Sequence, residues 1–194
     1  DADGRNVAIG YEALNQQNAG ADAYNVAVGY EAGQQVTTGT QNTLIGGLAG
    51  DAMTIGNQNV ALGYASLGAN VAADRNVAVG HSALSNMTSA STSDTYNTAV
   101  GFYAGQAITS GVQNTIIGAL AGDALTTGAQ NVAIGNNALS SEDAHGKNTA
   151  VGMNALMTLN AGADAYNVAM GYNAGKLITT GVKNTIVGGL AGDA

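Results

Sequence analysis

His81 and His145 are the only imidazoles in this sequence. His145 lies close to Ser140, Ser141, Glu142 and Asp143, so the three members of a hydrolytic triad can be named within six positions. Nucleophilic catalysis requires those groups to be hydrogen-bonded in line, and adjacency in a polar turn does not supply that. His81 follows Gly80 where comparable segments carry Tyr11, Tyr30, Tyr64, Phe102 or Tyr172, and reads as a substitution in an aromatic column. Exposed aromatic rings stack on sugars, which makes Tyr11, Tyr30, Tyr64 and Tyr172 candidate glycan contacts. The plainer reading packs each ring on the surface and wets its hydroxyl. Asp51, Asp123 and Asp193 share one repeat position, four repeats apart. Stacked repeats would separate them by about 19 Å, too far to share a cation. A threefold axis would gather three copies of one such Asp around an oxygen-seeking ion, but turn chemistry explains them more simply. The Gly-rich calcium repeat is absent. Thr37-Thr38, Thr126-Thr127 and Thr179-Thr180 hint at an ice-binding array, yet a Thr-x-Thr face on every repeat is missing. No catalytic, cofactor or metal site is expected, and the chain reads as no enzyme.

Composition narrows the classes further. The 194 residues include 29 Gly and no Pro, Cys or Trp. Charged residues make up 9%, against roughly a quarter in ordinary domains. Disorder is the weaker reading, because the 45% of hydrophobic residues recur at fixed places. The net charge of −8 leaves only Arg5, Arg75, Lys147, Lys176 and Lys183 basic. No basic stripe exists for a nucleic acid, and an anionic membrane surface would repel the chain. No apolar run reaches the roughly 18 residues a membrane span needs. Without Cys there is neither a disulfide nor a thiolate metal site.

The elements that carry these residues are repeats. Asn, then Val or Thr, an apolar residue, an aliphatic residue or Met, and Gly begins at Asn6, Asn25, Asn42, Asn59, Asn76, Asn97, Asn114, Asn131, Asn148, Asn167 and Asn184. The spacings are 19, 17, 17, 17, 21, 17, 17, 17, 19 and 17 residues. A second period of four copies lies on top, in blocks starting at positions 6, 76 and 148, the last incomplete. Arg5, Arg75 and Lys147 precede the first copy of each block, and Tyr24, Tyr96 and Tyr166 the second. The eighth residue after Asn runs Leu14, Gly33, Gly50, Leu67, then Leu84, Gly105, Gly122, Leu139.

Seventeen residues are too few for a helical hairpin repeat. Val26-Ala27-Val28 instead alternates as a strand does, and Gly29 ends it. A second apolar position follows at Val36, Met53, Met87, Ile108, Leu125, Leu159 and Ile178. Each copy is therefore one rung of an all-β parallel β-solenoid, about eleven rungs forming a single array over residues 1–194. The anchor Asn side chains are expected to hydrogen-bond in a ladder along the stack. The longer rungs place loops at Ala19–Ala23, Ser89–Thr95 and Ala161–Ala165. Val26, Val28, Ile45, Val79, Val100, Ile117, Ile134 and Val151 are expected to point into the core. The opposite face carries Ala, replaced by Leu44, Ile116 and Ile186 on every fourth rung, and is the expected oligomer interface. The array begins and stops mid-rung, which fits a piece of a longer chain or a filament subunit that stacks end to end.

The phrases Asn-Val-Ala-Ile-Gly-Tyr-Glu-Ala-Leu (Asn6 to Leu14) and Asn-Thr-Ala-Val-Gly-Phe-Tyr-Ala-Gly (Asn97 to Gly105) resemble the head repeats of YadA-type trimeric adhesins. They look still more like the Asn-Thr-Ala-Ile-Gly-Tyr-x-Ala-Leu arrays of phage tail-fibre-like proteins. The resemblance covers essentially the whole chain. It implies a left-handed β-roll and a homotrimeric fibre or spike outside the cell or on a virion, used for reach and for attachment to a glycan or receptor. The adhesin head repeat is shorter, about fourteen residues, against the usual 17 here. Hexapeptide acyltransferases also set a catalytic His on a β-helix, but their rung has three aliphatic hexapeptides and this one has a single Gly-terminated strand.

Overall fold

The computed structural model describes residues 4–88 and 93–193. Each anchor Asn introduces one three-residue strand, from Val7–Ile9 in rung 1 to Thr185–Val187 in rung 11. All eleven strands pair in parallel, in chain order, in one sheet. The register repeats the sequence alignment: Val26 lies beside Val7 and Thr43, and Ala27 beside Ala8 and Leu44. A second, two-stranded sheet joins Ala73–Asp74 to Ser93–Asp94. The fold is an all-β parallel β-solenoid, with no helix among the described residues.

Every rung closes on left-handed backbone. The residue before each Asn has positive φ, as at Tyr24 (55°), Gln41 (60°) and Lys147 (64°). The strand-ending Gly goes further, with φ of 145° at Gly29. A Cβ there would sit 2.5 Å from the Gly46 carbonyl oxygen of the next rung, so no side chain fits. Many rungs carry another glycine fourteen residues after the anchor Asn, such as Gly39 and Gly111, and it has a different reason. A Cβ at Gly111 would lie 2.4 Å from the Gly128 oxygen, so rung-to-rung approach excludes it.

The strand faces are the reverse of the sequence expectation. Ala27, Leu44, Ala61, Ala78, Ala99, Ile116, Ala133, Ala150 and Ala169 are fully buried at the strand centres. Val26, Val28, Ile45, Val79, Val100, Ile134 and Val151 are only half-buried, and Ile117 is 38% exposed. The cause is the narrowness of the rung. The wall opposite the strand already supplies residues such as Leu67, Leu84, Met87, Ile108 and Leu125, all fully buried. What remains beneath the strand is room for one small side chain.

The four-rung period follows from the same constraint. Leu44 fills space left by two glycines: a Cβ at Gly33 would meet its Cδ1 at 2.7 Å, and one at Gly50 would meet its Cδ2 at 2.9 Å. Ile116 stands likewise beside Gly105 and Gly122. Where the strand centre returns to Ala61 or Ala78, the opposite position returns to Leu67 or Leu84, keeping interior density constant.

Leu44 and Ile116 are therefore sealed within one chain, and Ile186 packs against the same core. The interface expected at Leu44 and Ile116 is corrected, because a partner chain cannot reach the interior, and the partly buried Ile186 faces the same interior column. The longer rungs diverge at Ala19–Ala23 and Ala161–Ala165. Of Ser89–Thr95, residues 89–92 lie outside the described residues, and Ser93–Asp94 is strand rather than loop.

Candidate functional site

Three features carry polar or exposed groups in register along the rod. The first is internal. At every junction the backbone N–H of one anchor Asn donates to the side-chain oxygen of the Asn below, from 2.7 Å for Asn25 on Asn6 to 3.2 Å for Asn167 on Asn148. In seven of the rungs the amide nitrogen turns the other way and donates to a carbonyl fourteen residues on, as from Asn114 to Gly128 at 2.9 Å, whereas Asn76 and Asn148 donate to the carbonyls of Asp74 and Gly146. These side chains are buried from Asn25 to Asn167, and they act on backbone rather than on any ligand.

The second feature is the outward sheet face. Two columns flank the buried strand centres: Val or Thr, from Val7 to Thr185, and an aliphatic residue or Met, from Ile9 to Val187. No charged residue occurs in either column. Ile9 is 60% and Val187 68% exposed, and Leu62, Ile117 and Met170 are also open to solvent. Beside these columns runs the aromatic one. Tyr11, Tyr30, Tyr64 and Tyr172 are each more than half exposed, so the candidate glycan contacts do lie on one surface. Tyr11 stacks on Tyr30 at 5.4 Å, and Tyr64 on His81 at 5.2 Å. These rings spend faces on one another, which leaves their edges and hydroxyls outward. The Tyr11 and Tyr30 hydroxyls are held above their ordinary pKa by hydrogen bonding to Glu12 and Glu31 respectively.

The third feature joins the two period-locked sets of residues. Arg5 reaches Tyr24 and Asp22, with 2.7 Å to the phenol oxygen and 2.9 Å to the carboxylate. Arg75 pairs with Asp94, which also accepts a hydrogen bond from Tyr96 at 2.8 Å. Lys147 lies 2.5 Å from Asp164 and 3.1 Å from the Tyr166 oxygen. Each cation also stands over its ring, 5.1–5.7 Å from the centroid. The hydrogen bond between them holds Lys147 above and Asp164 below their usual ranges. Asp22, Asp94 and Asp164 belong to the extra residues of the long rungs, so each trio latches that added segment to the rung below it.

Asp51 and Asp123 keep their four-rung separation, each half-buried. Burial holds both carboxyls above their ordinary value of 3.8. The Oδ1 atom of Asp123 is buried with no hydrogen-bond partner among the described residues. A raised folded-state value means that the native chain gains stability as pH falls through it toward 3.8. Asp123→Asn should therefore melt higher than the parent at pH 7, with the gap closing as the buffer is acidified toward 3.8. Thermal melts across that range check the sign. The Thr hydroxyls of Thr37 and Thr126 donate to the carbonyls of Thr54 and Asp143, which occupies them within the rod.

The Ser140 hydroxyl donates to the Met157 carbonyl at 3.4 Å rather than to His145. Glu142, Asp143 and His145 do converge, with one ligand atom from each within 4.8 Å of the others. His81 lies apart, in the aromatic column. Among the described residues, no helix is long and apolar enough to cross a membrane. No family model, curated protein or solved structure matches this chain.

Proposed function

We propose that this chain is a structural segment, shaft or head, of an extracellular fibre on a virion or cell surface. It supplies reach and rigid spacing rather than catalysis. The observation that carries the reading is the uncharged outward sheet face, which runs unbroken along a stack of eleven strands. At about 4.8 Å per strand that face is roughly 50 Å long. The column of Tyr11, Tyr30, Tyr64, His81, Phe102 and Tyr172 lies beside it and extends the exposed face. Water-facing strands ordinarily carry charged residues, and an uncharged face whose aliphatic column runs its whole length suits association with another surface. Identical chains bury such faces around a closed axis, and the resemblance to adhesin heads favours three.

Light scattering of the purified chain should give about three times its 19.0 kDa. Val79→Glu together with Ile117→Glu should yield a monomer with an unchanged dichroism spectrum. A monodisperse parent monomer at high concentration would remove the basis for the fibre reading. The exposed Tyr column supports a second reading, glycan binding at Tyr11, Tyr30, Tyr64 and Tyr172. Retention on a glycan array that is lost on their replacement by Ser would favour it.

A further inference from the structure

We propose that Glu142, Asp143 and His145 form a site for one divalent cation of the zinc class at the edge of rung 8. The argument starts from a column. Eleven residues after the anchor Asn, successive rungs place Val36, Met53, Met87, Ile108, Leu125 and Leu159 in the core, all fully buried. Three rungs depart from this: rung 1 has the partly buried Gln17 at its edge of the stack, and two interior rungs differ, four apart. Rung 4 has Asn70 there and rung 8 has Glu142, both also fully buried.

Asn70 shows what that slot needs when it is polar. Its side-chain oxygen accepts from the Ala73 N–H at 2.9 Å, and its amide donates to the Ala73 carbonyl at 3.2 Å. One amide both accepts and donates, and the turn is satisfied. Glu142 occupies the same slot, and its carboxylate accepts from the corresponding N–H, that of His145, at 3.3 Å. Its second oxygen accepts from Ala161 at 3.4 Å. Both bonds are at the long end of the range. An ionised carboxylate has no proton to donate, and a buried one requires a positive partner.

The group facing it is the His145 imidazole. Its Nδ1 is buried and lacks a hydrogen bond among the described residues, although it lies 3.4 Å from Glu142 Oε1. A buried ring nitrogen and a buried carboxylate thus point at one place, and the exposed Asp143 carboxylate closes the group within 4.8 Å. One imidazole nitrogen and two carboxylate oxygens suit a borderline cation, for which all three are ordinary ligands at about 2.0–2.2 Å. Closing the ligand atoms to that distance needs movement only at the exposed side of the turn, and solvent completes the coordination. The nearby Asp164 is committed to Lys147 and to the Gly146 N–H. The site would revise the expectation, drawn from the sequence, that the chain has no metal site.

Titration of the full chain with zinc chloride, followed by calorimetry, should show one ion bound per chain and a rise in melting temperature. Glu142→Asn installs the residue that the fold already accepts at Asn70. It should leave the dichroism spectrum intact and weaken zinc binding at least tenfold. His145→Ala should do the same, and His81→Ala should change nothing. With cobalt chloride, the parent alone should develop visible ligand-field bands. Absence of zinc binding by the parent, or equal binding by Glu142→Asn, would overturn the proposal. The latter result would assign any heat to the acidic surface at large.

Discussion

Ile116→Asp should collapse the rungs around it, while Ile117→Asp, one residue on, should leave the folded chain almost untouched. Ile116 is fully buried between Gly105 and Gly122, and a carboxylate there would have neither water nor a cation. Burying an unpaired charge is among the few single changes that cost about 4 kcal/mol or more. In a stack whose rungs touch only their neighbours, the damage should spread by one or two rungs on each side rather than abolish the whole fold. Ile117 points the other way and is 38% exposed, so its replacement should stay within about 0.5 kcal/mol for the isolated chain. Chemical denaturation followed by dichroism separates the two. The opposite order of effects would restore the inward placement of the larger aliphatics.

Asn114→Ala should cost about 3 kcal/mol, since each buried partner left without its bond costs about 1–3 kcal/mol. The Asn114 side-chain oxygen accepts from the Asn131 N–H at 3.0 Å, and its nitrogen donates to Gly128. Both partners lie inside the stack, where no water replaces the lost amide. Asn136→Ala supplies the contrast. That amide donates to the Ala119 carbonyl at 3.0 Å but is exposed, and its loss should fall within about 0.5 kcal/mol. Equal melting temperatures for the two variants would mean that the ladder is decoration.

Rung number, register and the Asn ladder were legible because backbone pairing forces identical positions of successive repeats into contact. Asn148 can only sit on Asn131 if the spacing holds. Strand facing was not legible from the strand itself. In Val26-Ala27-Val28 the period of two defines two faces and is silent about which is inside. The expectation that larger aliphatics go in failed because interior capacity is set by the opposite wall. The signal was nevertheless present. Leu44 coincides with Gly33 and Gly50, and Ile116 with Gly105 and Gly122. A large-for-small exchange between two columns has a reason only if the columns share one cavity.

The tyrosine column was legible as a surface, whereas its self-stacking depends on the rung spacing and not on residue type. The latches were half legible. Arg5 and Tyr24 kept the four-rung beat, but Asp22, two residues before the Tyr as Asp94 and Asp164 are, lay in segments dismissed as loops. Glu142 was passed over for a related reason. It was read with its polar neighbours in the chain, although its column partners, Asn70 among them, define where it points.

The parallel ladder also sets how such a rod would yield under load. Hydrogen bonds between strands run along the long axis, so tension applied at one end of the chain opens the terminal turn first while the turns beyond it keep theirs. A turn of 17 residues occupies about 4.8 Å of length when coiled. Drawn out straight, it would span on the order of 55–60 Å. Each turn surrendered would therefore pay out more than ten times its coiled length, and the rod would dissipate a sudden pull stepwise, one coil at a time.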